Sequence, residues 1–232
     1  MIDHYDWAGG REAMIRFGPT NGPIVMAAMP LFEEANRTRA FVVTILRALA
    51  ERGIASVLPD LPGTGESLTT TEEATLSHWT GSFSSLCEAL HVERDAVHGI
   101  GFRGGALLDG SARLDSRWHF APAAGDGLVR DLMRTRLTAG AGESPDEAME
   151  VPGPPIELAG NRISRSLLAQ LGKTRPVDTS PRRTVRLDSD AQPADRHLPG
   201  SPLWRRSEPD NDIDLARLLA EDIAAWIASC AG

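Results

Sequence analysis

Two hydrophobic periods alternate along the chain, and they predict alternating strands and helices. Three segments have the apolar character of strands that a sheet buries on both faces, at residues 24–29, 54–58 and 96–100. Two segments between them repeat apolar residues at three- and four-residue spacing, at residues 36–52 and 75–90. This alternation is typical of a mostly parallel sheet with helices on both of its faces.

Weaker patterns give the remaining elements. Residues 12–17 alternate loosely before the turn-forming GPTNGP, which predicts an antiparallel hairpin at the sheet edge. Strands are predicted at residues 118–121, 184–187 and 202–205, and helices at residues 127–137, 162–171 and 212–229. The Pro-containing DSDAQPADRHLPG between two of these strands is predicted to be a loop.

A glycine-rich turn follows the third buried strand. Gly101 to Gly105 match the pattern Gly-x-Nu-x-Gly, the nucleophile elbow of the α/β-hydrolase fold, where a sharp turn between strand and helix exposes one side chain. That side chain belongs to Arg103. A guanidinium stays protonated and only donates hydrogen bonds, so it cannot attack as a serine or cysteine would.

The order of the elements around this elbow predicts one α/β-hydrolase-fold domain over residues 1–232. A chain of this length suits a single large α/β core. The pattern breaks at residues 125–178, where a Gly-, Pro- and acid-rich stretch separates two predicted helices. The fold inserts a cap or lid at this position, so we interpret residues 125–178 as a cap.

The other members of a catalytic triad are poorly matched. Asp188 and Asp190 stand where the acid belongs, after a late strand. The loop SEPDND after the last predicted strand contains no histidine, and His197 precedes that strand in a Pro-rich loop. His197 is therefore a weak candidate for the base. The remaining histidines lack metal-ligand spacing, so neither a metal nor another cofactor is expected.

An oxyanion hole can outlast the loss of a triad because backbone amides form it. Its donors would be Gly104 and either Leu31 or Phe32, and Arg103 with the helix N-terminus would add positive potential. One interpretation is thus a pocket for a carboxylate or phosphate, with its rim at Glu33, Glu34, Asn36 and Arg37. The other is that Arg103 pairs with Glu33, Glu34 or Asp60 and fills a disused site.

Composition narrows the function classes. The net charge of −8 argues against a nucleic-acid binder, which would carry a basic patch. Two cysteines are too few for a disulfide framework, and the chain shows neither a signal peptide nor a run of about 18 apolar residues. We therefore expect a cytoplasmic protein without membrane insertion. A weaker alternative interprets Gly99 to Gly104 as a dinucleotide-binding G-x-G-x-x-G, with Asp126 as the ribose-binding acid.

Four segments together resemble one family, the exosortase A system-associated hydrolases. They are PLFEEANRTRAFVVTILRALAERGIASVLPDLPGTGES, GFRGGALL, LVRDLMRTRLTAG and IELAGNRISRSLLAQL, which lie within residues 24–175. In the branch that this sequence resembles, an arginine also occupies the elbow position. The resemblance implies a bacterial protein whose genome context is exopolysaccharide production and protein sorting.

Two functions follow from these residues. The first is a non-catalytic α/β-hydrolase-fold protein with a degenerate triad, which binds a small anionic molecule, a protein of the same pathway or a second copy of the chain. In it Arg103, Gly104, Leu31, Phe32, Glu33 and Asn36 contact the ligand. The alternative, which the family resemblance implies, is an active hydrolase of an ester or thioester.

Overall fold

A mostly parallel sheet forms the centre of the protein. A computed structural model describes residues 1–138 and 152–230 of the chain. The strands are β1 (Ile2–Trp7), β2 (Gly10–Phe17), β3 (Ile24–Ala28), β4 (Ala55–Pro59), β5 (Val97–Phe102), β6 (Ser116–Phe120), β7 (Ile156–Leu158), β8 (Asn161–Ile163), β9 (Arg182–Leu187) and β10 (Arg196–Leu198). Eight of them form one sheet in the order β1-β2-β4-β3-β5-β6-β9-β10, and β7 pairs with β8 in a separate hairpin. From β4 to β10 every pair in the large sheet is parallel, so the predicted fold class is confirmed.

Helices cover both faces of this sheet. They are α1 (Glu33–Glu51), α2 (Leu76–Glu93), α3 (Gly125–Thr138), α4 (Arg165–Gly172) and α5 (Ile213–Cys230). Along β3, Ile24 and Met26 pack into one apolar cluster with α2 and α4, whereas Val25 and Ala27 pack into a second cluster with α1 and α5. The two clusters are the two halves of the core, which explains why the central strands are apolar throughout.

The helix ends agree with local sequence signals. Helix α1 begins at Glu33, three residues earlier than predicted, and its first turn carries two acids that favour a helix N-terminus. After its end, Gly53 adopts φ 76°, a left-handed conformation that glycine tolerates. Thr75 caps α2, because its hydroxyl oxygen accepts a hydrogen bond from the His78 amide at 3.0 Å.

The strand predicted at the sheet edge forms its hairpin through a different turn and with a different strand than the sequence predicts. Strand β2 pairs antiparallel with β1, which was not predicted, through a turn at residues 8–9. The stretch GPTNGP instead leads from β2 to β3, and these two strands are separated by β4. The antiparallel edge itself is confirmed.

Two predictions near the C-terminal end are wrong. Residues 188–200 were predicted as a loop but contain β10, a three-residue strand in which only Leu198 is buried. Residues 202–205 were predicted as a strand but form a 3-10 turn at Leu203–Arg205. An edge strand this short carries too few apolar positions to show a period of two. On α5, Ile213 is 53% exposed, whereas Leu215 and Leu219 are buried in the core.

The chain after the elbow departs from the predicted helix as well. A five-residue 3-10 helix, Arg103–Leu107, forms there instead of an α-helix. Beyond it a buried polar group fixes the chain to β6: His119 Nε2 lies 2.7 Å from Asp109 Oδ2, and Arg117 Nη2 donates to the Asp109 carbonyl at 3.0 Å. These contacts hold the segment in place, as the packing of a helix would otherwise do.

The segment interpreted as a cap contains α3, the β7–β8 hairpin and α4. The predicted helices at residues 127–137 and 162–171 correspond to α3 and α4, although residues 162–163 belong to β8. Much of the Gly/Pro/acid-rich stretch, residues 139–151, lies outside the described residues. The assignment of residues 125–178 as a cap stays a prediction. Among the helices of the described chain, none has the length and apolar character needed to cross a membrane.

Candidate functional site

Arg103 occupies the tip of the elbow in a left-handed backbone conformation. Its φ is 53°, which is uncommon for a residue with a side chain and marks a constrained turn. The turn also packs tightly against β3, since a Cβ on Gly105 would overlap the carbonyl oxygens of Ala28 and Met29. The sequence pattern Gly-x-Arg-x-Gly therefore reflects real backbone constraints at this position.

The guanidinium of Arg103 is held by three groups. Its Nη2 and Nε donate to the two carboxylate oxygens of Glu34 at 3.1 and 3.3 Å. Its Nη1 donates to the Ala121 carbonyl at 3.1 Å, and its Cζ lies 4.6 Å from the centroid of the Trp204 ring. The interpretation in which Arg103 pairs with an acid of the protein requires a contact of this kind, and Glu34 is the acid that provides it.

Glu34 is a mostly buried carboxylate next to a mostly buried cation. The exposed fractions of the two side chains are 15% for Glu34 and 14% for Arg103. Burial raises the pKa of Glu34 above its ordinary value, although the charge and hydrogen bonds of Arg103 act in the opposite direction. The pair thus compensates most of the positive charge that Arg103 brings to the elbow.

Trp204 comes from the segment between β10 and α5, where the triad histidine of an α/β-hydrolase would lie. The Trp204 carbonyl accepts a hydrogen bond from Arg37 Nη1 at 3.0 Å, and the residue is 9% exposed. From this segment the Trp204 ring stacks on the Arg103 guanidinium. Sequence reasoning missed this role because it placed Trp204 in a strand; a lone tryptophan in a polar loop was the available signal.

The acid candidates differ in position. Asp190 lines the same cavity as Arg103, and it binds Arg186 Nη1 at 2.7 Å. Burial raises the pKa of Asp190, but hydrogen bonds from the Gln192 amide and from Arg186 outweigh it and leave the pKa below its ordinary value. Asp188 is exposed. Of the two, only Asp190 shares a cavity with Arg103.

His197 is not in the loop where it was predicted. It lies within β10 and is exposed, with Nε2 at 3.1 Å from the Asp190 carbonyl oxygen. The segment after β10, residues 199–212, still contains no histidine. No geometry connects His197 with the elbow tip, and its role as a base stays untested.

The predicted oxyanion residues lie together. Leu31 and Phe32 connect β3 to α1, and Phe32 has φ 57°. A Cβ on Gly104 would lie 3.2 Å from Leu31 Cγ, so the two chain segments are in contact. Within the described chain, neither the Leu31 nor the Phe32 amide donates a hydrogen bond. Gly104 lies in the five-residue 3-10 helix Arg103–Leu107, which replaces the expected α-helix, and the contribution of this N-terminus stays a prediction.

Three cavities surround these residues. The Arg103 cavity, of about 540 Å³, is lined by Arg103, Arg186, Asp190 and Trp204, among others. The Glu34 cavity, of about 550 Å³, is lined by Glu33, Glu34, Arg37 and Trp204, among others. The Asp60 cavity, of about 440 Å³, is lined by Leu31, Phe32, Asn36 and Asp60, among others. Since Arg103 lines the first cavity and Glu34 the second, their salt bridge stands between the two.

Several predicted rim residues do not contact Arg103. Glu33 pairs with Arg37 on α1, while Asn36 is exposed at the mouth of the Asp60 cavity. Asp126 lies in the first turn of α3 and pairs with Arg130 at 3.4 Å. The five-residue 3-10 helix Arg103–Leu107 follows the Gly99–Gly104 motif, in place of the α-helix whose N-terminus the dinucleotide interpretation requires. No group of three or more potential metal ligands forms within residues 1–138 and 152–230.

Comparison with solved structures shows the fold. Est1E from Butyrivibrio proteoclasticus, solved with ferulic acid, has a TM-score of 0.67 and 15% identity over 97% of this chain and 99% of its own. The mouse alpha/beta hydrolase domain-containing protein 10 has a TM-score of 0.61 and 15% identity over 99% of both chains. A thermophilic esterase from Thermogutta terrifontis, with bound malate, has a TM-score of 0.55 and 14% identity over 99% of both chains. The protein therefore has the α/β-hydrolase fold.

Sequence comparisons give no closer assignment. No protein-family model matches the chain, and no curated protein matches it. At identities near 15% the structural similarity shows the fold alone, so the function has to be argued from the site.

Proposed function

We propose that this protein is a non-hydrolytic α/β-hydrolase-fold protein that binds a small anionic molecule in the Arg103 cavity. One observation carries the proposal: the elbow that should present a nucleophile presents a guanidinium, and this guanidinium lines a cavity. A guanidinium can bind a carboxylate or a phosphate but cannot attack an ester.

The charges around the cavity support an anionic ligand. Four arginines and three aspartates line it, although the whole chain carries a net charge of −8. The four arginines are Arg103, Arg130, Arg186 and Arg205. Arg103, Arg130 and Arg186 are paired with Glu34, Asp126 and Asp190, whereas Arg205 has no ion pair within the described residues, so Arg205 supplies the uncompensated positive charge that attracts an anion.

Arg103 also retains capacity for a ligand despite its salt bridge. Glu34 and Ala121 accept hydrogen bonds from three of its nitrogen atoms, whereas a guanidinium has five N–H donors. Glu34 neutralises much of the charge of Arg103, so the remaining donors orient the anion and Arg205 supplies the attraction. In this arrangement Arg103 can pair with an acid of the protein and contact an anionic ligand at the same time.

The resemblance to the exosortase A system-associated hydrolases supports a place in exopolysaccharide production or protein sorting. In that setting the bound molecule would be a carboxylated or phosphorylated intermediate, or a group on a partner protein. This context rests on the sequence motifs around Arg103.

Calorimetry with inorganic phosphate and with acetate tests the binding. We expect saturable binding to the wild type and an affinity about tenfold weaker for Arg103→Ala, since one charge-assisted hydrogen bond contributes roughly 1.5 kcal/mol. Arg47→Ala is the control, because this exposed arginine on α1 does not line the cavity. Equal affinity of the wild type and Arg103→Ala, or absence of binding to the wild type, contradicts the proposal.

Ester hydrolysis is a second candidate, since the structural neighbours include an esterase and the oxyanion-loop amides are unpaired. Nitrophenyl esters of different chain length separate the two functions when assayed with wild type and Arg103→Ala. Turnover by the wild type that disappears in Arg103→Ala would establish hydrolysis through Arg103 and overturn the binding proposal.

A further inference from the structure

The Asp60 cavity shares Leu31 with the neighbouring Glu34 cavity and extends to the β7–β8 hairpin. Asn161 of this hairpin lines the cavity, and the neighbouring Arg162 Nε lies 2.9 Å from Glu72 Oε2, beyond the loop after β4. This ion pair links the hairpin to the chain before α2 at an exposed position, since 68% of the Arg162 side chain is exposed. The volume of about 440 Å³ falls within the range of roughly 300–1,000 Å³ typical of small-molecule sites.

Two opposite charges in this cavity have unused hydrogen-bonding capacity. The Asp60 side chain is 10% exposed, and its Oδ2 accepts a hydrogen bond from the Glu66 amide at 3.1 Å. Its Oδ1 lies 3.8 Å from Arg39 Nη2, beyond hydrogen-bond distance. In the described part of the chain, neither Asp60 Oδ1 nor the Arg39 guanidinium has a hydrogen-bond partner. Asp60 Oδ1 can therefore accept a hydrogen bond from a ligand in the cavity.

The rest of the lining combines an apolar side with a rim of hydroxyls and amides. Leu31, Phe32 and Phe83 supply the apolar side, and Phe32 is only half-buried. Hydroxyl and amide side chains are contributed by Thr64, Ser67, Thr69, Thr71, Asn36 and Asn161. Such a lining matches a molecule that has one apolar face and several hydrogen-bonding groups.

We propose that the Asp60 cavity binds a neutral, polyhydroxylated ring of about monosaccharide size. Its apolar face packs on Phe32, and adjacent hydroxyl groups bridge Asp60 Oδ1 and Arg39. A hydroxyl donates to the carboxylate and accepts from the guanidinium, so one group or a neighbouring pair fills the 3.8 Å gap. This ligand differs from the anion proposed for the Arg103 cavity.

The charges of the lining exclude the other simple ligand classes. An anion in the gap is repelled by Asp60, and a cation is repelled by Arg39. An apolar molecule leaves both charged groups without partners, which carries the cost of desolvation without compensation. A neutral polyol avoids all three penalties.

Saturation-transfer NMR and calorimetry test this site with methyl glycosides of glucose, galactose and mannose. Glucuronate, glucosamine and cyclohexanol are the anionic, cationic and apolar comparators. We expect at least one neutral glycoside to bind saturably and more tightly than all three comparators. Loss of one charge-assisted hydrogen bond in Arg39→Ala, or of the charge in Asp60→Asn, should weaken binding about tenfold.

Arg47→Ala serves as the control on the same helix, because this exposed residue does not line the cavity. If Asp60→Asn fails to fold by circular dichroism, Arg39→Ala decides alone, since the Arg39 side chain is 48% exposed. The proposal is overturned if no neutral glycoside binds the folded wild type, if a comparator binds as tightly, or if Arg39→Ala binds as well as Arg47→Ala.

Discussion

Arg103 and Glu34, 69 positions apart in the sequence, form a two-point salt bridge at the tip of the elbow. The arginine reaches this position through a left-handed turn after β5, and the glutamate lies in the first turn of α1. The salt bridge thereby connects the elbow with the first turn of α1.

Removing one member of this pair should destabilise the protein more than removing both. Arg103→Leu leaves the Glu34 carboxylate buried without a partner, so we expect the free energy of unfolding to fall by about 3 kcal/mol. The double variant Arg103→Leu/Glu34→Leu should recover most of that loss. Urea unfolding of the two variants measures both values, and a double variant less stable than Arg103→Leu would contradict the expectation.

Much of this site could be predicted from sequence because its parts are local. Glycines around Arg103 mark a tight turn in any context, and the apolar runs of β3 and β4 identify buried strands. Glu34 is one of the three acids that the sequence suggests as a partner for Arg103. Choosing among Glu33, Glu34 and Asp60 required the helical phase of α1, which places Glu33 towards Arg37 instead.

Other parts of the site depend on contacts between distant segments. Trp204 reaches Arg103 only because β10 is three residues long and the following 3-10 turn brings the ring over the elbow. A short edge strand has no detectable period of two. The sequence pattern therefore does not show where β10 ends, and without that boundary the position of Trp204 cannot be predicted. Likewise, no local sequence pattern shows that the segment after the elbow is held by a contact between Asp109 and His119 instead of forming a helix.

Asp222 provides a pH-dependent contribution to stability. This α5 carboxylate is 3% exposed and accepts hydrogen bonds from Trp118 Nε1 at 2.8 Å, Arg183 Nε at 2.8 Å and Arg196 Nη1 at 2.7 Å. Burial raises the pKa of Asp222, but these hydrogen bonds and the charge of Arg183 lower it from 3.8 to about 2. A carboxyl group with a lowered folded-state pKa stabilises the protein fully above pH 3.8 and loses this contribution as the pH falls towards 2.

The expected contribution of Asp222 at neutral pH is about 2 kcal/mol. Asp222→Asn should therefore be less stable at pH 7 and should lose less stability than the wild type between pH 4 and pH 2. Denaturant unfolding across this pH range measures the slopes. Asp214→Asn is the matched control on α5, because the Asp214 side chain is 93% exposed; equal slopes in wild type and Asp222→Asn would show that the carboxylate is not the cause.

Substitution in the buried polar group of Asp109, Arg117 and His119 should lower the stability of the protein as much as a substitution in the hydrophobic core. Asp109→Ala removes the partner of His119 and leaves Arg117 without its nearest acid, whose Oδ1 lies 3.7 Å from Arg117 Nε. We expect a loss of about 3 kcal/mol in the free energy of unfolding. The exposed Asp95 supplies the control variant Asp95→Ala, with an effect below about 0.5 kcal/mol. A loss under about 1 kcal/mol for Asp109→Ala would mean that this group does not anchor the chain.

Restoring a nucleophile at the elbow should not restore hydrolysis. Arg103→Ser creates Gly-x-Ser-x-Gly on a turn that already has the required left-handed φ of 53°. No histidine lies in residues 199–212 to accept the serine proton, and Trp204 occupies the corresponding position. We expect neither a burst of nitrophenol nor turnover of nitrophenyl acetate above that of wild type, whereas Arg103→Ser/Trp204→His should show a measurable burst. A burst from Arg103→Ser alone would identify another base within reach of the elbow, and Glu34, freed from its salt bridge, would be the first residue to substitute.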